Sequence, residues 1–291
     1  MELLTIRTED IMVKINPQGA ELTSLIKNKD GQEYMWNADP AFWSKRSPVL
    51  FPVVGTLKEN CYYYKGERYE LGRHGFARDR RFETEDKSEN EVVFLLKSDE
   101  ESLAVYPFHF SFRIRYRVEG ESLQVSYEVL NTGSEEMYFS VGGHPAFRVP
   151  VKEGEEYSDY YLEFEKAETV GRWPISAEGL IEEFTMPLLD NSNELPLAKE
   201  LFARDAIVLK DLQSQSVKLL SRKSAAGLDF SFKGFPYLGI WAAKGADFVC
   251  IEPWCGIADT VNADQQLPHK EGINSLFPGG TFKRSWSVSV K

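Results

Sequence analysis

Three short segments group the residue types that do chemistry. The first, Arg73-His74-Gly75-Phe76-Ala77-Arg78-Asp79-Arg80-Arg81, places four arginines and one histidine in nine positions. Planar guanidinium forks suit a polyol or a phosphate, and arginines paired with nearby carboxylates in a charged turn account for the same residues. The second is Ser140-Val141-Gly142-Gly143-His144-Pro145-Ala146-Phe147. Its glycines bring backbone close to a neighbour, and Pro145 biases His144 toward an extended conformation; a site histidine and a structural one are equally open. The third is Phe248-Val249-Cys250-Ile251-Glu252-Pro253-Trp254-Cys255-Gly256. Glu252 sits in an apolar run where Pro253 interrupts regular pairing. An apolar setting raises a carboxyl pKa, which suits a general acid or base near neutrality. The plainer alternative is a buried Glu satisfied by backbone donors or an Arg.

His74, His144 and Glu252 also have the donor types of a two-histidine, one-carboxylate zinc set. No short ligand spacing such as H-E-x-x-H supports it, so the expectation is no metal and no cofactor. No G-x-S-x-G occurs, and no cysteine lies in a recognised nucleophile motif. Cys61, Cys250 and Cys255 are odd in number and irregularly spaced, as expected of reduced thiols in a cytoplasmic protein. Lys and Arg total 34 against 45 Asp and Glu, a formal charge of −11. Such a surface repels nucleic-acid backbones and anionic membranes. No uncharged apolar run approaches the ~20 residues of a membrane span, and the opening Met1-Glu2-Leu3-Leu4-Thr5 lacks a basic-then-apolar leader. Any histidine chemistry must use one of four residues, of which His109 and His269 receive no role.

Positioning these segments falls to β-strands. Phe112, Ile114, Tyr116 and Val118 alternate with Arg113, Arg115 and Arg117; after Glu119-Gly120-Glu121 the alternation resumes through Leu123, Val125, Tyr127 and Val129. This predicts a hairpin with one buried and one wet face. The same period marks Tyr160 to Phe164, Leu228 to Phe232 and Trp286 to Val290, while Glu91 to Lys97 reads as a strand buried on both faces. Helices are few and short: a turn from Asp39-Pro40, a capping box at Ser98 and Glu101, and a piece over Leu197 to Phe202. Glu153 to Asp159 reads as an acidic loop over a site. The expectation is one large antiparallel β-sandwich domain over 1–291.

Ser47-Pro48-Val49-Leu50-Phe51-Pro52-Val53-Val54-Gly55, His74-Gly75-Phe76-Ala77-Arg78-Asp79, Gly143-His144-Pro145-Ala146-Phe147 and Phe248-Val249-Cys250-Ile251-Glu252-Pro253-Trp254 follow one another in that order. In this ordered combination the chain resembles the aldose 1-epimerase (galactose mutarotase-like) superfamily, and its LacX-like branch in particular, over nearly its whole length. The resemblance implies an all-β galactose mutarotase-like supersandwich with a sugar site on its concave face. It implies a cofactor-independent isomerase that interconverts the α and β anomers of a hexose or hexose 6-phosphate. At the matching positions it suggests Glu252 as general base and His144 as general acid, with His74, Arg46 and Asp205 holding the sugar.

The sequence departs from the galactose mutarotases where Pro253 is followed by Trp254 rather than Gln, which bears on the substrate more than on the reaction. Trp36, Trp43, Trp241 and Trp254 are stacking candidates for a pyranose, with core packing the plainer role. Arg78, Arg80, Arg81 and Lys45 are candidates for a 6-phosphate. A non-catalytic carbohydrate-binding protein on the same fold is the main alternative. A glycosidase would need two carboxylates about 5–10 Å apart, and only one strong candidate stands out. The partner expected is a small sugar, with the protein a monomer or homodimer.

Overall fold

The computed structural model describes residues 2–291, and its elements are almost all antiparallel strands. Nine strands form the largest sheet. From edge to edge they are Met186–Pro196, Tyr160–Arg172, Ser216–Ser221, Gly227–Ser231, Thr281–Val290, Ser122–Asn131, Phe110–Glu119, Glu91–Lys97 and Glu83–Lys87. The predicted hairpin forms with Phe112 opposite Val129, Ile114 opposite Tyr127 and Tyr116 opposite Val125. Gly120 takes a positive φ at its tip, as a tight link between twisted strands requires. Arg113 makes two bonds to Glu85, of 2.7 and 2.8 Å, on the wet face. Glu91–Lys97 has Val92 to Leu96 buried, so both of its faces are covered.

A second, six-stranded sheet contains Ile207–Lys210, Tyr237–Trp241, Phe248–Cys255, Val141–Gly143 and Val49–Leu50, with Ala146–Arg148 also paired to Phe248–Cys255. Aromatic contacts join the two sheets: Phe51 stacks on Phe112 at 4.6 Å, and Phe147 meets Phe230 at 5.9 Å. Gly143 allows the closest approach, since a Cβ there would lie 2.7 Å from the Tyr127 hydroxyl. A four-stranded sheet, Leu4–Arg7, Ile11–Asn16, Glu21–Lys27 and Gln32–Glu33, joins this core through the Tyr116 hydroxyl, which donates to the Ala20 carbonyl at 2.7 Å.

The local helical expectations shift. Asp39 does cap, with Oδ1 accepting from Ala41 N at 2.9 Å, but only a turn follows. The capping box belongs to Asp99 and Ser102, one residue after the predicted pair, and starts the helix Glu100–Val105. Over Leu197 to Phe202 there is one 3₁₀ piece, Lys199–Phe202. Glu153 and Gly154 line a surface cavity beside Trp36 and Arg148, and the Tyr157 hydroxyl donates to the Phe248 carbonyl at 3.1 Å, so this acidic loop packs at the start of the third segment but does not line the cavity that holds His74, His144 and Glu252.

Dense aromatic packing has a pH consequence. Burial raises Tyr34 and Tyr160 to about 12 and pushes Tyr106 and Tyr116 well above the usual phenol range. The folded state therefore favours the neutral phenol. That stability is full below the unfolded pKa of ~10 and is lost as pH rises toward the folded values. Phenolate formation at Tyr106 and Tyr116 should occur only together with loss of near-ultraviolet circular dichroism; their ionisation while the fold persists would contradict their burial.

Candidate active site

The strand Phe248–Cys255 is buried along all eight residues. Side chains alternate along a strand, so Cys250, Glu252 and Trp254 share one face. Two segments pair with it on one side, Gly142 opposite Trp254 and Ala146 opposite Cys250. Between them the ladder breaks at His144-Pro145, level with Glu252, because proline has no N–H to give a partner strand. The break turns the imidazole across the carboxyl, and His144 Nε2 lies 3.3 Å from Glu252 Oε2.

His74 arrives from a loop. Its backbone has a positive φ, its N–H donates to the Gly55 carbonyl, and Nδ1 accepts from the Gly55 N–H at 3.1 Å. That bond assigns Nδ1 as the acceptor and leaves the proton on Nε2 of the neutral ring. The His74 and His144 rings lie 5.7 Å apart, edge to face. Behind this loop, Gly55 abuts Ala258, and the neighbouring Asp259 carboxylate is held by the buried Lys270 ammonium at 2.6 Å.

These groups line a cavity of about 420 Å³ together with Trp43, Trp241, Trp254, Arg73, Arg78, Asp205 and Lys244. Ile175, Ile181, Phe202 and Val208 form an apolar side. The volume suits a small ligand. Trp254 lies in a slot between two glycines: a Cβ on Gly239 would sit 2.3 Å from its ring, and one on Gly142 2.8 Å away. Trp43 covers His144 with ring centroids 4.9 Å apart.

Burial decides the protonation. It pushes the Glu252 carboxyl well above the carboxylate range, with Arg73 pulling the other way and Asp205 reinforcing the rise. It lowers His144 to about 3, and the Arg73 and Arg78 charges act in the same direction. His74 is also held well below its usual value by burial, then by His144 and the two arginines. The favoured pair is thus a neutral carboxyl facing a neutral imidazole. Removing both groups from water disfavours an ion pair between them. Glu252 Oε2 and His144 Nδ1 are buried without hydrogen-bond partners, which leaves the pair's bonding capacity incomplete.

The structure brings Glu252, His144, His74, Arg78, Asp205 and Trp254 into one cavity, but not Arg46. The Arg46 guanidinium donates to the carbonyls of Trp36 and Asn37 at 3.0 and 2.8 Å, and the Arg46 backbone N–H donates to the Glu21 carboxylate. Arg73 instead faces the cavity, 3.5 Å from Asp205. Of the tryptophans, Trp36 stays outside and donates its indole N–H to the Trp43 carbonyl. Among the phosphate candidates, Arg80 pairs with Glu101 and Asp99, and Lys45 with Asp79; Arg81 does not line the cavity either. Sequence reading passed over Lys244, the apolar side and Cys250. The two-residue spacing from Cys250 to Glu252 was the one available signal for the cysteine.

A family model described as Aldose 1-epimerase matches residues 2–283. The chain is 36% identical over 296 residues to Protein LacX, plasmid, of Lactococcus lactis subsp. lactis, with 99% of each chain covered. The galactose mutarotase related enzyme of Lactobacillus acidophilus superposes with a TM-score of 0.95 at 37% identity, covering 100% of this chain and 97% of that one. A galactose mutarotase-like protein of Lactobacillus casei ATCC 334 gives 0.94 at 29% identity, with 100% of both covered.

The glycine slot is directly testable. Gly239→Ala should destabilise the protein by about 1–3 kcal/mol in urea unfolding, because the new methyl overlaps the Trp254 ring. Adding Trp254→Phe, which removes the overlapped atoms, should recover most of that loss; if the double variant is no more stable than Gly239→Ala, the slot is not the cause.

Proposed function

We propose, from the premise that this chain belongs to the aldose 1-epimerase family, that it is a cofactor-independent mutarotase interconverting the α and β anomers of a hexose or hexose 6-phosphate. The 3.3 Å approach of His144 Nε2 to Glu252 Oε2 inside the cavity carries this reading. Ring opening needs a base at the C1 hydroxyl and an acid at the ring oxygen. Glu252 takes the hydroxyl proton as His144 donates to the ring oxygen, the C1–O bond breaks, and an aldehyde forms. Rotation about C1–C2 presents the other face, and the same two groups close the ring in reverse. The pair begins and ends with one proton.

The neutral resting pair and the reactive imidazolium–carboxylate pair differ only in where that proton sits. Sugar hydroxyls bonded to the open Oε2 supply solvation that burial removes, and Arg73 favours the carboxylate. His74 and Asp205 line the same cavity, which supports their bonding other hydroxyls, and Trp43, Trp241 and Trp254 there support stacking on the ring. Arg73, Arg78 and Lys244 at the same cavity support an anionic substituent such as a 6-phosphate. One core cluster draws on residues from Ile6 to Val290, in support of a single domain. Three unpaired cysteines support a reducing, cytoplasmic setting.

Glu252→Gln should lower accelerated anomer exchange of a good substrate by at least ~100-fold, read by exchange NMR or polarimetry, with circular dichroism unchanged. Full activity in that variant removes Glu252 as the base. Tight sugar binding by the wild type without any acceleration favours a carbohydrate-binding protein instead. Arg78→Ala should raise KM for a hexose 6-phosphate about 10-fold more than for the free hexose, in keeping with one lost charge-assisted contact; equal changes for both sugars count against a phosphate at Arg78.

A further inference from the structure

We infer that His144 and Glu252, which line this cavity, together with Cys250, which is buried beside them and does not line it, also bind a thiophilic divalent cation, Zn²⁺ above others, and that the ion and the sugar exclude each other. One donor atom from each of the three residues lies within 4.8 Å of the other two, and all three residues are buried. Cys250 and Glu252 share a face two residues apart on one strand, and the break at Pro145 swings His144 over them. Cysteine with histidine and one carboxylate is a borderline-soft donor set that suits zinc better than magnesium or calcium.

The distances fit. Zn–N and Zn–O bonds of about 2.0–2.2 Å at a tetrahedral angle put the nitrogen and oxygen about 3.3–3.4 Å apart, and His144 Nε2 lies 3.3 Å from Glu252 Oε2. A Zn–S bond of about 2.3 Å requires the sulfur about 3.6 Å from each. Sγ therefore closes from no more than 4.8 Å, a small side-chain adjustment. The ion also answers an open valence, since Glu252 Oε2 is buried and has no partner. Zn²⁺ coordination converts the thiol to a thiolate with release of its proton. Three protein ligands leave the fourth position for water, and an ion held on Glu252 and His144 occupies the two groups that the sugar would meet. His144 Nδ1 has no acceptor to orient the ring from behind, so the ion is exchangeable with strong chelators rather than permanent.

Metal binding does not depend on the mutarotase reading; only the exclusion of sugar by the ion does, so the two are tested apart. The chelator-treated full chain is titrated with Co²⁺ and, in competition with a chromophoric chelator, with Zn²⁺. The wild type should show a thiolate-to-cobalt charge-transfer band. Cys250→Ser should abolish the band and weaken Zn²⁺ binding at least ~10-fold. His144→Gln should weaken it similarly, with folding of both variants checked by circular dichroism. His269→Ala, which removes the exposed pair with Asp264, should leave binding unchanged. A wild type without the charge-transfer band, a Cys250→Ser variant of undiminished affinity, or loss of binding in His269→Ala overturns the inference. If the metal signature holds and anomer exchange is absent, the enzyme reading fails alone; if exchange is present and Zn²⁺ does not bind, the metal site fails alone.

Discussion

A carboxyl group on a strand with no exposed residue is the constraint from which the rest of the site follows. Glu252 is 1% exposed and borders His144, itself 8% exposed. Neither group can be charged cheaply there. The fold meets this by holding both neutral in the resting state, 3.3 Å apart and with no ion pair between them. It also leaves one carboxyl oxygen and one imidazole nitrogen without partners. Such incomplete bonding is disfavoured in a core, but it is what a ligand-binding wall must keep in reserve.

Strand geometry produces this contact without a specialised loop for either residue. Phe248–Cys255 is paired on both sides, by Tyr237–Trp241 along one edge and by two shorter segments along the other. The interruption between those segments is the only freedom His144 needs. Glycines do the remaining work by omission. Gly143 lets the two sheets approach, while Gly142 and Gly239 clear the space that Trp254 fills. Packing and site geometry are thus one problem, solved by the same residues.

Electrostatics divide the molecule differently. The chain carries a formal charge of −11, yet Arg73, Arg78 and Lys244 meet at the cavity. Surface acids neutralise several of the other arginines, including Arg80 with Glu101 and Arg113 with Glu85. An acidic exterior thus surrounds a cavity with a local cluster of positive charge.

Much of this was legible in the sequence. Period-two alternation located the Phe110–Asn131 hairpin and the last strand, because a half-buried strand must alternate. The ordered segments around His74, His144 and Glu252 pointed to the residues that meet in the cavity. Short helices were less legible: the cap at Asp99 and not Ser98 depended on which side chain reached a free N–H, a choice two neighbouring polar residues leave open. The choice between Arg46 and Arg73 was beyond sequence reasoning, since only the folded chain ties the Arg46 guanidinium to the carbonyls of Trp36 and Asn37 while leaving Arg73, one of four arginines in the first segment, at the cavity. The sequence by itself determined the strands, the residue types and the faces they share, because those follow from local periodicity. Tertiary structure alone decided the protonation of Glu252 and His144 and the nearness of Cys250, because desolvation and distance arise only when separate strands close around the same space.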